Sequence, residues 1–114
     1  MANILKNLAR SLIANAATAY VTAANPGSPN NQRITIKRIK VTNISAAATT
    51  LTGLWAGSAA DDAHVLAKGI SLGAGESLEF DPTTVVLEPG ESLYAQGSVA
   101  NNLQIAADGL RQTE

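Results

Sequence analysis

The chain's one histidine stands beside two carboxylates, in Asp61-Asp62-Ala63-His64. Imidazole and carboxylate ligands suit a transition-metal ion, but such a site needs three or four donors converging from several elements. No second histidine and no cysteine exist to complete one, so the segment reads as a polar loop leading into a strand. A nucleophile fares no better. Ser71, Ser77 and Ser92 lie in turn contexts, and nothing in the sequence partners one of them with His64 as an activating base. Gly73-Ala74-Gly75 is glycine-rich, yet a phosphate cradle needs a helix N-terminus after it, and here a strand pattern follows. The residues therefore give no expectation of catalysis, of a cofactor or of a metal.

Contact chemistry is better supplied. Arg33, Lys37, Arg38 and Lys40 put four cations on one short segment. A nucleic-acid surface would interleave aromatics for base stacking, and this segment has none; the net charge of −1 points the same way. Lysines also blunt exposed sheet edges, which is the plainer reading. Between Asp61 and Glu91 lie seven acidic residues against one lysine. A basic strand and a later acidic stretch suit a chain that contacts copies of itself or an acidic partner. Arg33, Lys37, Arg38 and Lys40 are accordingly candidate interface residues. At the N-terminus, Ile4, Leu5, Leu8 and Leu12 recur at helical spacing with Lys6, Asn7 and Arg10 opposite, which reads as a short amphipathic helix or an extended arm over residues 1–12. Chain ends fray unless tied down, so these four apolar residues are candidates for docking on a neighbouring chain. Trp55 is the lone indole: a sugar-stacking platform on one reading, a core residue on the commoner one.

The elements that must hold these residues are strands. A chain of 114 residues makes one domain, here 13–114 behind the arm. At 46% hydrophobic and 15% charged it is too apolar to be disordered, while 21 alanines and 4% aromatics make its core thin. No run approaches the ~18 apolar residues of a membrane-spanning helix. Alternation marks strands at Thr18–Ala23, Gln32–Ile44, Thr49–Ala56, His64–Leu72, Ser77–Phe80, Thr83–Leu87, Ser92–Gln96 and Leu103–Ala107, with turn formers between them. In the second of these the phase slips at Lys37-Arg38, as a β-bulge would make it, and the apolar set stays on one face. In the third, Leu51, Gly53 and Trp55 share a side. The spacing predicts an antiparallel β-sandwich of about eight short strands, jelly-roll-like.

One pattern occurs twice. Leu72-Gly73-Ala74-Gly75-Glu76-Ser77-Leu78 and Leu87-Glu88-Pro89-Gly90-Glu91-Ser92-Leu93 share L-x-x-G-E-S-L. Gly75 and Gly90 are expected at the positive φ of a tight turn, and each leucine pair is expected to enter the core.

The order of Val41-Thr42-Asn43-Ile44-Ser45, the alanine-rich turn after it, Leu72 to Leu78, Val86 to Tyr94 and Gly97 to Ile105 resembles small virion structural proteins of tailed bacteriophages. The resemblance runs from Ile34 to Gly109. It implies a jelly-roll-like sandwich without catalysis that binds a capsid, or else a neck, tail or baseplate. The expectation is a capsid decoration protein residing in the virion, with the major capsid or other virion proteins as partners. Its thin core favours a homo-oligomer, a trimer first, and neither nucleic acid nor membrane is an expected partner. The expectation from another class is a lectin-like carbohydrate-binding module.

Overall fold

Strand-forming alternation dominates the computed structural model, which describes residues 6–80 and 85–113. Nine strands appear among them: β1 (Lys6–Leu12), β2 (Thr18–Thr22), β3 (Gln32–Asn43), β4 (Thr49–Gly57), β5 (Val65–Leu72), β6 (Ser77–Phe80), β7 (Val85–Leu87), β8 (Ser92–Gly97) and β9 (Leu103–Thr113). A 3₁₀ turn at Asp62–His64 precedes β5. The first sheet runs β1-β9-β3-β6, with β7 also paired to β3; the second runs β2-β8-β4-β5. Every pairing is antiparallel. Except for the β4–β5 hairpin and the β6–β7 step, each connection crosses from one sheet to the other. That is the order of an eight-stranded jelly roll, with β6 and β7 as two segments of one edge position.

The core lies between the sheets. Ile34, Ile36, Ile39 and Val41 of β3 face Leu51 and Leu54 of β4, Leu93 and Ala95 of β8, and Leu103, Ile105 and Ala107 of β9. Inward and outward positions alternate along β3 until the register shifts between Ile36 and Arg38, leaving Lys37 without a partner in β9. This is the bulge the phase slip announces, and it keeps Ile39, Val41 and Asn43 inside.

Three features refine or depart from the reading of the sequence. Of helix and extended arm, the described part of the N-terminal segment takes the extended form: β1 pairs with β9 along its length and bulges between Asn7 and Ala9. Edge N–H and C=O groups of β9 offer more bonds than an isolated helix of this length can retain in water. β9 also continues to Thr113, past Ala107 where the alternation places its end. Gly109 is where β3 comes closest: a Cβ there would strike the Thr35 carbonyl and crowd Leu8. Finally, β4 shifts register between Leu51 and Gly53, so Leu51 and Leu54 both point inward while Trp55 pairs with Tyr94 on the outer face. There the indole lies flat over Gly53, where any Cβ would collide with the ring, and is only 6% exposed. Its Nε1 is buried and unpartnered.

The repeated motif builds two sheet-switching corners. At 72–78 the chain leaves the second sheet for the first; at 87–93 it makes the reverse crossing at the other end of the sandwich. Gly75 and Gly90 sit at φ 75° and 90°. In each corner the glutamate N–H closes the turn, Glu76 N to Gly73 O at 3.0 Å and Glu91 N to Glu88 O at 2.9 Å. The same glutamates accept from the N–H of Gly73 and of Glu88 through their side chains. Each corner docks on a neighbouring strand end by two backbone bonds: Gly75 N to Asn43 O and Asn43 N to Glu76 O, against Gly90 N to Ala23 O and Ala23 N to Glu91 O.

Candidate partner interface

The candidate interface residues are placed by the first sheet. Antiparallel partners carry their side chains on the same face, so register alone assembles the outer surface. Arg10 of β1 and Lys40 of β3 both lie opposite Ala106 of β9; Leu12 and Thr42 lie opposite Gln104; Asn7 and Arg38 lie opposite Asp108. Because Ala106 is small, the basic side chains to either side frame a shallow depression of about 280 Å³ lined also by Arg38, Thr42, Gln104 and Asp108.

The charge separation along the sequence does not survive folding as two patches. β6 and β7 bring acidic residues next to the basic strand. Arg38 pairs with Glu79 (Nε to Oε1, 2.8 Å) and Arg33 with Glu88 (3.0 Å). All four side chains are about half exposed, so each pair contributes at most about 1 kcal/mol. Arg10 and Lys40 form no ion pair among the described residues. Lys37 is the bulge residue and half-buried. Arg10 is a candidate contact residue that sequence reasoning did not single out. Periodicity assigns it to the polar side of a helix, and only the β1–β9–β3 register brings it level with Lys40.

Of the apolar N-terminal candidates, Leu8 is taken up internally, packed against the core beside Gly109. Leu12 faces outward and is 43% exposed. Ile4 and Leu5 lie outside the described residues. Since β1 is an edge strand of the sandwich, removing residues 6–12 would strip β9 of a partner.

His64, Asp62, Ser77 and Ser92 each make a side-chain hydrogen bond or ion pair. His64 Nδ1 lies 2.6 Å from Asp61 Oδ1, its ring over Gly57, while Asp62 pairs with Lys68 at 2.9 Å. Ser77 and Ser92 exchange hydroxyl bonds with Thr42 and Thr22, at 3.0 and 2.9 Å. Among the described residues no three histidine, cysteine or acidic side chains gather as a metal site would require.

Asn43 ends β3 fully buried, with its carboxamide saturated. Nδ2 donates to Ala47 O and Leu72 O at 2.8 and 2.9 Å; Oδ1 accepts from the Ser45 N–H and hydroxyl at 3.0 and 2.7 Å. The Val41-Thr42-Asn43-Ile44-Ser45 phrase thus joins the end of β3, the loop to β4 and the end of β5. No protein-family model, curated protein or solved structure matches the chain significantly.

Proposed function

We propose that this chain is a non-enzymatic structural protein of a tailed-phage virion, decorating the capsid through protein–protein contact. The observation that carries the reading is the coincidence of motif and corner. The phrases that resemble small virion proteins are the ones that turn the chain between the sheets of a jelly roll: Asn43 at the end of β3, the two L-x-x-G-E-S-L corners, and the 97–105 segment entering β9. Jelly rolls serve as capsid and lectin domains alike, so the fold alone does not choose between them. Trp55 disfavours the lectin, because an indole lying on Gly53 at 6% exposure offers no free face to a sugar.

Attachment would use the outer face of the first sheet, where Arg10 and Lys40 flank Ala106 and can receive a partner's carboxylates. Such contacts are screened within about 8 Å at physiological ionic strength, so binding is salt-sensitive, and repetition over a shell multiplies weak individual contacts. The test is immunogold labelling of tailed-phage particles from the source culture with antibody against the purified chain. Label over the heads, lost on washing at high salt, is the expected result. Particles without the chain, or label confined to tails, overturn the decoration reading.

A further inference from the structure

The two ends of the sandwich differ in kind. Loops 13–17, 44–48, 73–76 and 98–102 close one end; eight of their residues are alanine, and Glu76 alone is charged. Loops 24–31, 58–64 and 88–91 lie at the other end with four carboxylates and three prolines. Among the described residues six large apolar side chains are exposed, and they are not scattered evenly. The three most exposed, Ile44 at 54%, Val99 at 49% and Leu12 at 43%, all stand at the alanine-rich end. Single exposed apolar residues need no explanation; a gathered set without charge marks a contact surface.

The surface is also rigid. Its loops are tied to one another by Asn101 N to Ile13 O (3.0 Å), Gly97 N to Ala14 O (3.0 Å) and Ile44 N to Asn102 O (2.9 Å), and Asn43 Nδ2 holds Ala47 O. A partner therefore meets side chains already held in place, and little ordering cost opposes binding.

We propose that this end is a self-association surface, meeting the same end of a second copy about a twofold axis. The outer face of the first sheet carries Arg10, Lys40 and the pairs Arg33–Glu88 and Arg38–Glu79, which an end whose one charge is Glu76, folded back on its own turn, would desolvate without return. The alanine-rich end matches itself, and an isologous contact uses one patch from each copy. Size agrees. β3 and β9 run along the 46 Å dimension, leaving an end face of 29 × 21 Å. A contact covering the whole of that cross-section would take about 600 Å² per copy and about 1,200 Å² for the pair, the lower bound of specific interfaces. The geometry thus points to a weak, reversible twofold dimer in place of the trimer favoured by composition.

Sedimentation velocity on the full chain between about 10 μM and 1 mM tests this. A concentration-dependent dimer that persists in 1 M NaCl is expected. Ile44→Asp with Val99→Asp should weaken dimerisation at least about tenfold, the loss expected when the centre of a contact is disrupted. Thermal melting should be unchanged, because both side chains are exposed, and Val99→Ser gives a milder variant should the double one misfold. Lys40→Glu should leave dimerisation intact. A wild type that stays monomeric to 1 mM, a dimer that dissolves in salt, or one that Ile44→Asp and Val99→Ser leave unchanged would each overturn the proposal. Failure of the particle test leaves this result untouched, since Ile44 and Val99, the residues tested, lie in the end loops and not among those lining the Arg10–Lys40 depression.

Discussion

The corners at 72–78 and 87–93 carry the same seven-residue pattern and make the same bonds, yet they do not weigh the same. Both have a glycine at positive φ, a glutamate folded back on its own turn and a serine bonded to a threonine across the sheet. In the first corner Ser77 is exposed and Leu78 half-buried; in the second Ser92 and Leu93 are buried. The strand ends they dock on differ as well. Asn43 and Ala23 make equivalent backbone bonds, but only Asn43 adds a side chain that gathers a second loop and the end of β5. A local pattern thus specifies local bonds, and its depth in the sandwich decides what those bonds are worth.

The sharpest way to break this comparison is to truncate the second leucine of each corner. Leu93→Ala opens a cavity among fully buried neighbours and should cost about 2–5 kcal/mol, whereas Leu78→Ala at a half-buried site should cost about half as much. Equal losses in urea denaturation would mean that the corners are energetically alike despite their burial.

Asn43→Ala would make the first docking point resemble the second. It takes the side-chain partner from the Leu72 carbonyl and the Ser45 N–H, while Ala47 O keeps the Ser45 and Thr49 hydroxyls, so a loss of about 1–3 kcal/mol is expected. Hydrogen exchange should accelerate first in the 44–48 loop and at the end of β5. A loss below about 0.5 kcal/mol, no more than an ordinary surface change, would show that the carboxamide is dispensable.

The smallest effects lie at the turn glycines. A side chain at Gly75 meets nothing within 4 Å, so Gly75→Val reports backbone strain alone, about 1–2 kcal/mol. At Gly90 the added atom comes 3.6 Å from Asn25 Nδ2, and the further branches of valine should raise the cost above that at Gly75. Asn, which tolerates the left-handed region, should cost less than Val at both. Melting shifts that do not separate Val from Asn would show that positive φ is not what these positions require.

Much of the architecture was legible because it rests on period-two alternation. The strands from Thr18 to Leu103 begin within about two residues of where alternation puts them, within the usual uncertainty of element boundaries. The Lys37-Arg38 slip locates a bulge because a one-residue insertion changes parity, and parity can be read from a linear sequence. β1 was ambiguous for the same reason. Leu8 and Leu12 are four apart, a spacing that suits one face of a helix or, as here, a strand whose bulge turns Leu8 inward and Leu12 outward. The shift in β4 that sends Trp55 to the outer face left no comparable mark, since Leu54-Trp55 reads equally well in either phase.

What the sequence by itself determined is the local grammar: where strands run, where glycine must turn the chain, and which side chains fold back on their own turns. Only the tertiary structure decided which charges meet. Arg33 finds Glu88 and Arg38 finds Glu79 across 55 and 41 residues, converting an apparent basic strand and acidic stretch into paired rows on one sheet. It also decided that four separate loops, each unremarkable alone, share one end whose only charge is Glu76. Alternation and turn chemistry act over a few residues and leave their trace in order and spacing. Register between distant strands depends on how all the apolar faces pack together at once, and no short stretch of sequence contains that information.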